Sequence, residues 1–398
     1  MNNFLLILLL TAFPALSTDM YLPAIPTLCE VWSVSLPLAN LSLTAFFASF
    51  SIFLLIHGPL ADQYGRRPIL LGGVSIYIAS CLACAASMSV TMLILARIFQ
   101  AFGAAAAASM SLALAKDLYE GDARKKLLAY IGVLVPLCPM IAPTIGALLL
   151  IHASWRVIFL LQAVLALPAL YGSFTLREPV LKPQTGGITR ALKRYSALFR
   201  NRNYLVYALS FAVAGFAFFA FIGGSSDIYI TGFDMNEQRF GLYFAFNAFG
   251  LMAGSLFCSR LCIGIESRRI LVLSLSGMLL SVATLLVLGA QTPAFFALPM
   301  FFFTFFLGMS RPISNHVILE EVHRDTGTAA SLLTFFNFMI AAVAMEMISF
   351  DWSSKPMVIA MTGIVGSAVP LLAVLFWVRP SRNVTGTGRD FPSSTPST

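Results

Sequence analysis

Charge is scarce in this chain. Only 11% of its 398 residues are charged while 59% are apolar, and a soluble protein carries about 25% charge. Water is therefore excluded as the main solvent of the folded chain. Long polar stretches are also missing. The longest, residues 177–203, reads "REPVLKPQTGGITRALKRYSALFRNRN", which leaves no room for a soluble domain. Histidine is rare: His57, His152, His316 and His323 all fall at the ends of apolar segments or in loops. A membrane-embedded enzyme, the remote alternative, would need a nucleophile and a base facing each other in a cavity, and these histidines do not fall where such a base would stand. The six cysteines are scattered, and Cys81-x-x-Cys84 has no histidine nearby, which argues against zinc or redox chemistry. No phosphate-binding loop or ligand cluster occurs, so no metal, nucleotide or other cofactor is expected.

Apolar length is abundant instead. Crossing a hydrocarbon layer about 30 Å thick takes about 20 residues of helix. Twelve segments meet that need, near 4–27, 38–58, 68–87, 91–115, 127–150, 157–176, 204–230, 239–261, 270–290, 293–315, 328–349 and 356–378. The opening "MNN" carries no positive charge, unlike the start of a signal peptide, so the first segment is expected to be a retained helix. The fold expected is an all-α membrane protein of two six-helix bundles. Residues 1–176 would form the first, 177–203 a basic linker lying on the inner membrane surface, 204–378 the second, and 379–398 a disordered tail.

The net charge of +8 becomes meaningful once sorted by loop. With Met1 inside, the inward loops and tail hold 20 of the 25 Lys and Arg, and the outward loops hold Arg156, Arg239 and Lys355. Such asymmetry predicts cytoplasmic termini. It also accounts for the basic balance without nucleic acid.

Inside the first segment stands Asp19, in "STDMYLPAIP". A carboxylate there costs about 2.5–3.5 kcal/mol on insertion scales, so it is by default a functional residue. A similar phrase, "SSDIYITGFD", carries Asp227 in the first segment of the second half. With the weaker echo of Gly65-Arg66-Arg67 in Ser267-Arg268-Arg269, this points to an internal duplication.

"GPLADQYGRRP" between segments 2 and 3 resembles the signature of the major facilitator superfamily. Gly58, Leu60, Asp62, Gly65, Arg66 and Arg67 all match. Gly58 would allow close helix approach and Gly65 a tight turn. Asp62 would face a helix N-terminus in the other half, and Asp117 is the candidate partner of the arginine fork. "RIFQAFG" in segment 4 is similar to a second family pattern and places Arg97 and Gln100 one turn apart. "PLCPMIAPTIGA" in segment 5 resembles the family's antiporter motif through Pro143 and Gly146, with Ala142 and Ala147 where glycines stand. Its three prolines predict a bent helix. "TDMYLP" narrows the likeness to the bicyclomycin and chloramphenicol resistance branch of drug:proton antiporters.

That resemblance implies a bacterial inner-membrane exporter of small, largely apolar compounds, driven by the proton gradient and active as a monomer. A metabolite exporter for a nucleoside or purine is the alternative on the same fold. Asp19 and Arg97 are the expected proton-coupling residues. Tyr21, Phe50, Gln100, Phe216, Phe219, Asp227, Asn247, Phe249, Phe336 and Asn337 are the candidates for the substrate pocket. The gating set comprises Gly58, Asp62, Gly65, Arg66, Arg67, Asp117, Pro143 and Gly146. Glu346 and Arg311 stay open between interfacial and functional roles.

Overall fold

The computed structural model describes residues 3–179, 187–262, 264–322 and 325–376. Among these residues every regular element is helical, and twelve helical segments are long and apolar enough to span a membrane. The tail after Arg379, with residues 377–378 and the Pro/Gly stretch 180–186, lies outside the described residues.

The first span is broken. α1 (Asn3–Asp19) ends at the aspartate, a 3-10 turn (Leu22–Ala24) follows, and α2 (Ile25–Trp32) completes the crossing. Pro23 and Pro26 lack the amide hydrogens that would bond back to residues 19 and 22, so two rungs of the α-ladder are missing within one turn. The remaining spans of the first half are α3 (Leu36–Tyr64), α4 (Arg66–Ala85), α5 (Val90–Leu118), α6 (Gly121–His152) and α7 (Arg156–Thr175). α6 is helical throughout, its three prolines included.

α8 (Gly187–Arg200) is the amphipathic helix of the linker. The second half repeats the broken first span. α9 (Arg202–Val213) and α10 (Phe216–Ser226) are interrupted at Ala214 and Gly215, and a π-helical turn takes over at Asp227–Gly232. Both copies of the repeated phrase thus mark the place where a first-span helix leaves α geometry. α11 (Glu237–Leu261), α12 (Ser267–Leu288), α13 (Pro293–Glu320), α14 (Thr326–Ser349) and α15 (Lys355–Phe376) follow. Side-chain caps fix where several helices begin: Ser89, Asn201, Asn236 and Thr292 each accept an amide N–H three residues on.

The halves meet along α3 against α14 and α6 against α11. At the end of the bundle opposite Gly65, Asn40 Nδ2 donates to Gly223 O (3.0 Å) and to Ser349 Oγ (2.7 Å), and Thr44 Oγ1 donates to Glu346 Oε2 (2.9 Å). A Cβ on Gly241 of α11 would sit 3.2 Å from Thr144 Cα on α6. This end is closed. The other end, which carries Gly65, the α5–α6 turn and α8, holds Arg66, Lys116, Arg190 and Arg194 and is called the basic end below.

Candidate substrate cavity and coupling site

A cavity of about 1080 Å³ lies between the halves and extends to the basic end. It begins at Thr18, Asp19, Phe46 and Ile222 and reaches Asp62, Arg66, Asp117, Arg194 and Asp325. Aromatic rings seal its inner end. Phe50 and Phe338 stand 4.9 Å apart edge to face, and Phe47 and Phe219 stand 6.1 Å apart, so rings from both halves meet there. Such a wall offers apolar area and π-faces for a flat or bulky apolar guest.

Asp19 lines this cavity, and its Oδ1 accepts from Thr18 Oγ1 at 3.0 Å. Among the described residues no lysine or arginine forms an ion pair with it. Cys138 of α6 is near enough to feel its charge. Arg97, though fully buried, is turned elsewhere. Its Nη1 donates to Ser17 O (2.7 Å) and to Gln100 Oε1 (2.6 Å), and its guanidinium lies over the rings of Phe46 (4.4 Å) and Tyr21 (5.1 Å). The broken helix explains the first of these bonds. Tyr21 N–H turns back to Thr18 O (3.2 Å), which leaves Ser17 O to a side-chain donor. Arg97 therefore acts on the α1 backbone and does not touch the Asp19 carboxylate.

The antiporter-like segment presses on the same break. A Cβ on Gly146 would collide with Met20 O, so α6 lies backbone to backbone against the turn after Asp19, with Pro143 buried beside it.

Of the candidate pocket residues, Phe50 and Phe219 line the cavity. Tyr21 and Gln100 are buried behind α1, Tyr21 Oη bonding Ser42 Oγ at 2.9 Å. Asn247 is enclosed, and Asn337 accepts from Arg311 Nη1 at 2.7 Å. Phe249 is 47% exposed on an outward face near Phe301, Phe336 packs on Phe199 of the linker helix, and Phe216 lies off the cavity wall. Asp227 differs most from its echo: Lys355 Nζ holds its Oδ2 at 2.5 Å at the closed end. The two aspartates of the repeat thus have opposite surroundings, one bonded only by Thr18 among the described residues and one neutralised by a lysine.

At the basic end Arg66 bonds Asp62 (2.7 Å) and Asp117 (2.9 Å). Asp62 therefore pairs one turn along its own half, and among the described residues it shows no hydrogen bond to a helix N-terminus in the other. The α4 N-terminus is capped instead by Glu178, whose carboxylate accepts the amides of Arg66 and Arg67, each at 2.8 Å. Gly65 turns with φ +99°, and a Cβ there would strike the same carboxylate. The space around Gly58 is open, since it faces the cavity, so it makes no close helix approach in this state. Sequence reasoning missed Glu178, which reads as one more linker charge. It also missed Gln162, whose signal was a lone amide in the apolar run "VIFLLQAVLALP".

Twelve spans in two halves around one central aromatic cavity, closed at one end and reaching the other, define a membrane transporter of the alternating-access kind. The chain belongs to the Major Facilitator Superfamily, whose sequence profile matches residues 7–345. It is 28% identical over 396 residues to a bicyclomycin resistance protein homolog of Haemophilus influenzae, covering 96% of each chain. It is 29% identical over 362 residues to the uncharacterized MFS-type transporter YdgK of Bacillus subtilis, covering 88% of this chain and 90% of that one. Among solved structures, a D-xylose–proton symporter shares the fold with a TM-score of 0.73 at 15% identity, over 94% of this chain and 96% of that one. The protein is thus a multi-pass transporter of small molecules.

Proposed function

We propose that this chain is a proton-coupled exporter of small, largely apolar compounds, with Asp19 as its proton carrier. The observation that carries the reading is a carboxylate lining an aromatic cavity with no cationic partner among the described residues. A group so placed is free to exchange a proton as the bundles rock, whereas Asp227, held by Lys355, is tied into a static pair. The basic end lies in the cytoplasm by the distribution of charge, so the cavity receives substrate from inside the cell. Substrate displaces the proton from Asp19, the bundles rock, and a proton taken up outside restores the first state. The proton gradient is the energy source, and a monomer with no cofactor is sufficient. The Haemophilus relative's name supports a drug as cargo.

Cells with and without the protein, given labelled apolar antibiotics and labelled nucleosides, test the reading. Antibiotic accumulation should fall with the protein and recover when the pH gradient is collapsed. Exclusion of nucleosides alone would make it a metabolite exporter. Reporter fusions after residue 190 should read cytoplasmic and fusions near residue 234 periplasmic; reversed readings would overturn the sidedness.

A further inference from the structure

Gln162 is the one strongly polar side chain in the middle of α7, and it is 2% exposed. Its amide joins a chain of hydrogen bonds whose direction has no freedom. The Arg97 guanidinium can only donate, so Gln100 must present Oε1 to it (2.6 Å). Gln100 Nε2 then faces Gln162 Oε1 (2.8 Å), and Gln162 Nε2 is left to donate to Leu16 O (2.9 Å). The chain begins on a fixed cation and ends on the last turn of α1, three residues before Asp19. Reversing either amide would set oxygen against oxygen or donor against donor at both of its ends. A second N–H of Gln100 is taken up by Cys81 Sγ (3.1 Å), and Tyr77 Oη bonds Ser17 Oγ (2.7 Å). Leu16 and Ser17 are thereby gripped from the side away from the cavity.

We infer that Gln162 is a positioning residue for proton exchange, fixing the end of α1 so that the Asp19 carboxylate faces the cavity. The inference rests on the reading of Asp19 as the proton carrier. The groups around that carboxylate leave Gln162 a distinct part. Thr18 bonds it, Cys138 of α6 is near enough to feel its charge, and Arg97 of α5 and Tyr77 of α4 are both turned to Ser17. From α7 the polar contact to this turn of α1 is Gln162. Without its amide, Leu16 O loses a donor and the last turn of α1 can rotate about the bond that Arg97 still makes. Asp19 would keep its proton chemistry but lose its fixed place between substrate and water.

The test uses the full-length protein in sealed vesicles and reads two fluxes, uphill transport driven by a pH gradient and downhill flux without one. Gln162→Met keeps the length of the side chain and removes both hydrogen bonds. Uphill transport should fall at least tenfold while downhill flux stays within about threefold. The pH midpoint of equilibrium substrate binding should shift by half a unit or more. In the Asp19→Asn background, Gln162→Met should cause no further loss, because the residue acts through Asp19. Gln162→Glu, which keeps the acceptor towards Gln100 and replaces the donor towards Leu16, should reproduce the midpoint shift and serves if the Met variant does not fold. Wild-type uphill transport and an unmoved midpoint in either variant would overturn the inference. So would an equal loss of both fluxes that persists in the Asp19→Asn background, which marks a residue that only holds the bundle together. If Asp19→Asn alone transports uphill, the proton-carrier reading fails; if it does not and the Gln162 variants behave as wild type, only this inference fails.

Discussion

Tyr195 Oη of the linker helix donates to Leu55 O at 3.2 Å, the carbonyl that Pro59, four residues on, leaves without its helical amide partner. The Ser331 hydroxyl of α14 also faces that tyrosine. Arg194, one residue earlier, pairs with Asp325 at the start of α14 at 3.4 Å. α8 thus spans the basic end from α3 to α14 and bears on both halves in the state where the cavity reaches that end. Burial pushes the Tyr195 hydroxyl up to about 12, so it remains a donor throughout the working pH range.

Tyr195→Phe removes the bond that joins α8 to the proline-bearing end of α3. One such bond is worth about 1 kcal/mol net, roughly fivefold in an equilibrium. The population open at the basic end should fall by about that factor. Distances between spin labels on α3 and α14 at this end report it, and an unchanged distribution would mean that α8 only rests on the halves.

Asp227→Asn should lower stability without altering substrate preference, because its partner is Lys355 at the closed end and not the cavity. A hydrogen bond between charged groups contributes about 1.5–3 kcal/mol. Thermal unfolding in detergent should show the loss, and the exchange Asp227→Lys with Lys355→Asp should recover part of it. A changed substrate spectrum with unchanged stability would return Asp227 to the pocket.

Asp62→Asn should slow turnover and leave equilibrium substrate affinity within a few fold. Its carboxylate is 39% exposed at the cavity mouth and shares Arg66 with Asp117, far from the aromatic wall. Exchange kinetics and binding measured on the same preparation separate the two effects. A large loss of affinity with normal cycling would place the residue in the site.

The sequence was most informative where physics acts along the chain. Span length and the Gly-Asp-Gly-Arg-Arg spacing each need only local chemistry, and Asp19, costly in hydrocarbon, stands out before its place on the cavity wall is seen. What a span faces was not legible. Phe50 and Phe219 line the cavity while Phe249 is exposed and Phe336 packs under the linker, yet all four sit in segments apolar on every side. Such a segment carries no amphipathic stripe to separate lipid from cavity. The repeated phrase misled in a related way. Its copies both mark the end of an α-helix, but only the lysine 128 positions away decides that Asp227 is neutralised. Glu178 and Gln162 were hidden because their partners, the amides after Gly65 and the carbonyl of Leu16, are backbone groups brought together by packing.

Asp19, as the proposed carrier of the exchanged proton, is open to a direct test. Asn has nearly the same shape and can still accept from Thr18, but it cannot titrate, so Asp19→Asn separates the proton from the packing. The measurement is substrate flux in sealed vesicles under an imposed pH gradient, with substrate binding followed from about pH 5 to pH 9 on the same protein. The variant should fold, reach the membrane and bind substrate, lose uphill export, and bind in a way nearly independent of pH. Uphill export at the wild-type rate by Asp19→Asn would contradict it.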